Sequence, residues 1–151
     1  MSPTDVQLSR FIAGPPAEVF DVWFDPECPG GPWHGSEKVI MNLAVDGIFY
    51  FGLDRVRTRL KTPTMAATGG LVGHFGRFTA IQRARAVEHT WMSEHTRGIE
   101  TTVSLTFEPR DGGTQLSILH RGLPDEDARH GHERGWTSLL ARVAELFEKT
   151  R

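Results

Sequence analysis

The stretch PDEDARHGHERGWTSLLARVAELFEK, residues 124–149, decides the fold. Within it Trp136, Leu139, Leu140, Val143 and Phe147 recur at i, i+3, i+4, i+7 and i+11. That spacing puts all five on one face of a helix with 3.6 residues per turn. Glu133, Arg134, Arg142, Glu145, Glu148 and Lys149 fall on other faces, which can stay wet. The start is marked as well. Pro124 disfavours a helix interior, Asp125 can cap, and Glu126 and Asp127 set negative charge against the positive end of the dipole. Lys149 and Arg151 suit the other end. Such a helix spans roughly 30 Å or more, and it needs a broad apolar surface to lie on.

The preceding residues read as strands that can supply that surface. Val6, Leu8 and Ile12 mark a first strand, ended by Gly14-Pro15-Pro16. Ala17, Phe20, Val22, Trp23 and Phe24 then form a short helix with proline at its start, where a missing N–H costs least. Val39, Met41, Leu43 and Val45 alternate in one run, and Phe49, Phe51 and Leu53 in the next. Asp46-Gly47 between them predicts a two-residue hairpin turn. Leu71 to Ile81 reads as a strand whose inward face the pattern leaves open. Val87, His89 and Trp91 alternate in another, and Thr101, Val103, Leu105 and Phe107 form the clearest of all. Residues 109–113 turn the chain into Leu116, Ile118 and His120. Strands joined by hairpins, with helices at the ends, predict an α+β fold: a curved antiparallel sheet around one long helix.

The totals narrow the class. A chain of 151 residues is most simply one domain, residues 1–151, with a real core. A formal net charge of -2 gives no global basic field to draw it to nucleic acid or an anionic membrane. No run reaches the roughly 20 apolar residues of a membrane span, and the first twenty residues lack the pattern of a signal peptide. Cys28 is the only cysteine, which excludes an intrachain disulfide. A cytoplasmic protein is the expectation.

An ordered set of short motifs runs along the chain: Pro15 to Trp23 with Asp25-Pro26, Trp33 and Gly35, Val45-Asp46-Gly47 with Phe49, and Gly76 and Phe78. Thr90-Trp91, Thr106 to Pro109 with Gly113-Thr114, His120 to Leu123, and Gly135-Trp136 complete it. In this set the chain resembles the AHSA1-like (activator of Hsp90 ATPase homologue) branch of the START/Bet v 1-like helix-grip superfamily, the SRPBCC group. Trp33-His34-Gly35-Ser36 stands where relatives often have Trp-Trp-Gly-Pro. The resemblance implies about seven antiparallel strands gripping the C-terminal helix, two short helices after the first strand, and a cavity between sheet and helix. It does not imply one activity, since such folds host binders, enzymes and co-chaperone domains.

Parity places Phe49 with Phe51, His89 with Trp91, and His120 with Leu116 and Ile118. If those faces are concave, Trp33, Phe49, Phe51, His89, Trp91, His120, Trp136 and Leu140 line an apolar space with a few polar points, suited to a small hydrophobic or aromatic ligand. The bland alternative is that they only fill the core. Gly131 and Gly135, one turn apart in the helix, mark either a close approach, space for a ligand beside Trp136, or a kink. Arg55, Arg57, Arg59 and Lys61 share one face if extended; they suit a solvated edge strand or an anion clamp. His130 and His132 have the wrong spacing for one metal ion, and His34, His74 and His95 have no partner at ligand spacing, so no metal or other cofactor is expected. Glu100 with His89 and His120 is the one acid-plus-imidazole set, but parity turns Glu100 to solvent.

Three functions follow. The leading one is binding of a small hydrophobic ligand without catalysis. The others are an Hsp90-type co-chaperone or interaction domain, which rests on the family name, and a cyclase- or hydrolase-like enzyme using cavity histidines. An exposed edge strand could also pair two copies into a homodimer.

Overall fold

The computed structural model describes residues 2–36, 38–54 and 71–149; the basic run Arg55, Arg57, Arg59 and Lys61 and the loop expected over 62–70 lie outside the described residues. Seven strands, β1 (Val6–Ile12), β2 (Lys38–Met41), β3 (Ile48–Asp54), β4 (Leu71–Gln82), β5 (Ala86–Trp91), β6 (Thr101–Arg110) and β7 (Gly113–Arg121), join in one sheet. Its order is β1-β7-β6-β5-β4-β3-β2, and every pairing is antiparallel. Helix α1 (Pro16–Trp23) follows β1, and helix α2 (Glu126–Lys149) ends the chain. Among the described residues a single helix stands between β1 and β2; the second short helix implied there is a series of turns over residues 26–35.

Register turns the alternation into rows across the concave face. One row runs Val6, His120, Val103, His89 and Phe78, each opposite the next on a neighbouring strand. All five are buried. Leu105, Ile118, Leu116 and Phe107 fill the rows beside it, also buried. Two histidines therefore sit in the middle of an apolar sheet, where each polar atom must find a partner inside the protein.

The two Asp-Gly pairs behave differently. Asp111-Gly112 is the true two-residue turn: β6 ends at Arg110, β7 starts at Gly113, and both turn residues have positive φ, 48° and 78°. Asp46-Gly47 is not a two-residue turn. β2 stops at Met41 and β3 starts at Ile48, so six residues connect them. The reason is a competing partner. The Asp46 N–H donates to the Phe78 carbonyl at 2.8 Å and the Phe78 N–H donates to the Gly47 carbonyl at 3.0 Å, tying this dipeptide to β4.

β4 explains why its inward face was open in the sequence. His74 and Phe78 are buried while Phe75, Arg77 and Thr79 are exposed. The β4–β5 register then slips between Phe78 and Ala80, and Ile81 packs on the core. One extra residue reverses the parity and bends the strand. Gly76 lets the bend close: a Cβ there would lie 2.1 Å from the Thr90 carbonyl oxygen of β5.

α2 buries Ala128, His132, Trp136, Leu140, Val143, Ala144 and Phe147. The stripe read in the sequence thus extends two turns further toward the N-terminus. Asp125 caps the helix through the Ala128 N–H at 3.0 Å and pairs with Arg97; the Ala128 bond and then Arg97 hold its carboxyl below the ordinary range. Phe147 lies over Gly14, where a Cβ would come within 2.3 Å of the ring. Of the strands, β1 runs beside α2 over the longest stretch. From this packing, Gly76→Ala is expected to destabilise the fold by about 2–3 kcal/mol. The measurement is a urea midpoint, and an unchanged midpoint would show that β4 and β5 can part here without cost.

Candidate functional site

A cleft of about 450 Å³ opens where the N-terminal half of α2 stands off from β3, β4 and β5. Phe51, His74 and Trp91 form its sheet wall, and Gly131, Gly135, Trp136 and Leu139 its helix wall. The turn around Pro32 to Ser36 makes one side, with Arg134 and Arg142 beside it. The sheet wall is a stack of rings. Phe51 and His74 are 4.4 Å apart and within 12° of parallel, and His95 lies 5.6 Å beyond His74 at 3°. Trp91 meets Phe51, His74 and Trp136 at 5.5, 5.0 and 5.0 Å.

The eight residues named for this cavity divide into two layers. Phe51, Trp91 and Trp136 line the cleft. Trp33, Phe49, His89, His120 and Leu140 are buried in the core. Trp33 meets Phe49 and Phe51 at 5.3 and 5.0 Å, and its indole N–H donates to the Trp23 carbonyl at 2.6 Å. His89 lies 5.3 Å from Phe49. Sequence reasoning did not place His74, His132, Leu139 or the two arginines at the site. For His132 a signal existed, since it precedes Trp136 by four residues and continues the core stripe. A second helical stripe was also legible: Asp127, Gly131, Arg134, Gly135, Leu139 and Arg142 share an adjacent face at spacings of three and four, and all six line the cleft.

Two hydrogen-bond chains cross behind the cleft. The Trp136 Nε1–H donates to His120 Nδ1 at 3.0 Å. His120 Nε2 lies 2.7 Å from Thr101 Oγ1, whose hydroxyl donates to the Trp91 carbonyl at 2.6 Å. Those partners assign His120 as the neutral tautomer with its proton on Nε2. The Trp91 Nε1–H donates to His132 Nε2 at 3.1 Å, and His132 Nδ1 bonds to the Ala128 carbonyl at 2.7 Å. His132 is therefore neutral with its proton on Nδ1. His89 Nδ1 bonds to the Thr90 carbonyl at 2.8 Å.

Burial reinforces this neutrality by penalising the imidazolium. It pulls His89 down to about 4 and, with His132 and His89 nearby, His120 to about 2. Burial and then His95 and His132 hold His74 well below the usual imidazole value. Burial also lowers His132, against the opposing effect of its bond to Ala128. His74 Nδ1 is the one buried side-chain polar atom without a hydrogen-bond partner among the described residues. Leaving such an atom unpaired costs about 1–3 kcal/mol. Glu100, the acid of the proposed acid-plus-imidazole set, is exposed. Among the described residues no group of three or more His, Cys, Asp or Glu could hold a metal ion. No helix of the described residues is long and apolar enough to cross a membrane.

Comparison with known proteins places this architecture. Among solved structures, protein CV1439 from Chromobacterium violaceum superposes with a TM-score of 0.75 at 22% identity, covering 97% of this chain and 99% of that one. The AHSA1 protein SPO3351 from Silicibacter pomeroyi gives 0.74 at 23% identity, with 97% and 99% covered. PFC0360w, an HSP90 activator from Plasmodium falciparum, gives 0.70 at 18% identity, with 94% of each chain covered. These likenesses show a shared helix-grip fold. No curated protein sequence matches the chain. The sequence profile described as activator of Hsp90 ATPase homolog 1-like protein matches residues 13–148, and the chain belongs to that AHSA1 family.

Proposed function

We propose that the cleft binds a small, flat, hydrophobic ligand between the aromatic wall of the sheet and the glycine face of α2. The observation that carries this reading is the bare helix. Gly131 and Gly135 line the cleft, and a Cβ at either would meet nothing within 4 Å. Neither glycine is needed for a close approach, yet each costs a helix interior roughly 1 kcal/mol relative to alanine. Empty space kept at that cost is space for something. A volume near 450 Å³ suits a small molecule. In this reading Phe51, Trp91 and Trp136 touch the ligand, while Trp33, Phe49, His89, His120 and Leu140 hold those rings in place from behind.

The hydrogen-bond chains favour binding over acid–base chemistry. Both nitrogens of His120 and both of His132 are committed to partners. Neither ring keeps a lone pair with which to take a proton from a substrate.

The family and the Plasmodium neighbour support a second reading, docking on an Hsp90-type chaperone. The outer face of the sheet offers a surface for it. Ile40, Tyr50 and Phe75 lie opposite one another across β2, β3 and β4, and Ile40 and Phe75 are each 47% exposed. β2 is also the last strand of the sheet among the described residues, so a second copy is another partner for the same region. Phe75→Ser should abolish stimulation of a bacterial Hsp90 ATPase if that docking occurs, and an ATPase rate indifferent to the wild-type protein would dismiss it.

For the ligand reading, fluorescence titration with the neutral dye N-phenylnaphthylamine should give saturable binding. The Gly131→Ala, Gly135→Ala double variant should melt at higher temperature, by about 2 kcal/mol in stability, yet bind the dye several-fold more weakly. A more stable variant with undiminished binding would remove the glycine argument. The depressed histidines set a pH dependence. Their folded values lie below the unfolded value of 6.5, so the unfolded chain takes up protons first as pH falls. Stability is then complete above pH 6.5 and declines below it, by up to about 1.4 kcal/mol per pH unit for each buried ring. Urea midpoints between pH 7 and 4.5 test this, and His89→Leu should make the decline shallower by one proton.

A further inference from the structure

The geometry points to a ligand that is an aromatic anion, its ring system inside the cleft and its carboxylate- or sulfonate-type group at the mouth against Arg142 and Arg134. This inference rests on the ligand reading above and adds the charge. The two ends of the cleft differ in chemistry. At the inner end His74 and His132 are neutral imidazoles. His74, 6% exposed, lines the cleft with its Nδ1 buried and without a hydrogen-bond partner among the described residues. His74 is held uncharged by burial and by His95 and His132, so an anion gains no ion pair there, whereas a ring edge or a hydroxyl meets no charge.

The outer end is cationic. Arg142 Nη1 donates to the carbonyls of Gly31, Pro32 and His34 at 3.5, 3.2 and 3.5 Å. Those bonds hold the guanidinium against the turn that forms the side of the cleft. They use one of its three nitrogens; Nε and Nη2 have no partner among the described residues, leaving a fork that can meet two oxygens side by side. Arg134 lines the same cleft, is exposed, and has no ion-pair partner among the described residues. The remaining arginine of α2 differs: Arg129 is taken up by Glu126 and Glu133. Arg134 and Arg142 both line the cleft, about 12 Å apart along the helix axis. The counter-charge in the cleft, Asp127, stands two turns before Arg134, at the far end of the stripe.

The test compares two dyes with the same aromatic body, anilinonaphthalene sulfonate and neutral N-phenylnaphthylamine, by fluorescence titration of the whole chain. The sulfonate should bind about tenfold tighter, a difference of about 1.4 kcal/mol, and the advantage should shrink in high salt. Arg134→Gln, which breaks no hydrogen bond or ion pair among the described residues, should cut the advantage two- to threefold. Arg142→Gln should remove most of it, provided its melting temperature stays near wild type. The readout in each variant is the ratio of the two dye affinities, so a loss shared by both dyes does not count toward the anion assignment. Equal affinity of the two dyes, or an advantage that survives both substitutions and high salt, overturns the anion assignment and leaves the ligand reading standing. Failure of both dyes to bind overturns both.

Discussion

Two indole–imidazole hydrogen bonds, running in opposite directions, set where the long helix sits on the sheet. Trp91 on β5 donates into His132 on α2, and Trp136 on α2 donates into His120 on β7. Each removes a buried donor and a buried acceptor that would otherwise stay unpaired. Apolar contacts tolerate sliding, because one methyl group replaces another at little cost. These polar contacts do not: moving α2 by one residue along its axis would break both. The same pairs neutralise the two imidazoles, which makes a histidine-rich interior compatible with an apolar core. They also hold Trp91 and Trp136 as fixed walls, so the cleft beside them is a consequence of the docking.

The two halves of α2 do different jobs. Toward the C-terminus, Val143, Ala144 and Phe147 are buried, and Phe147 closes over Gly14 with room for no other side chain. Toward the N-terminus the helix is capped by Asp125 and pinned by His132, but its glycines keep it bare on the side that faces the cleft. Stability is concentrated at one end and empty space at the other. That division lets the protein hold a cavity without softening the core.

Most of the fold was legible in the sequence, because period alone separates the helix from the strands. The turn at Asp111-Gly112, the buried faces of β5, β6 and β7, and the stripe from Trp136 to Phe147 needed no tertiary information. Asp46-Gly47 defeated the same rule because long-range bonds to Phe78 outcompete a local turn. β4 was ambiguous because Gly73 and Gly76 carry no side chain to reveal a face, and the slip after Phe78 reverses parity midway. The site was legible in part. Aromatic residues on concave faces pointed to Phe51, Trp91 and Trp136, but spacing cannot tell a ring that borders space from one packed behind it. His74 was hidden by the β4 ambiguity. Arg134 and Arg142 read as solvated surface, since nothing in the sequence says that a cleft borders the second stripe.

The anchored indoles have a spectroscopic consequence. Three of the four tryptophans have their ring N–H held by a named acceptor: Trp33 by the Trp23 carbonyl, Trp91 by His132 and Trp136 by His120. Their indole proton resonances should be well separated from one another and slow to exchange with deuterated water, one for each of three distinct acceptors. Two belong to rings that border the cleft and one to a ring packed behind Phe51. The protein thus carries its own set of NMR probes, able to register an occupant without any label being attached.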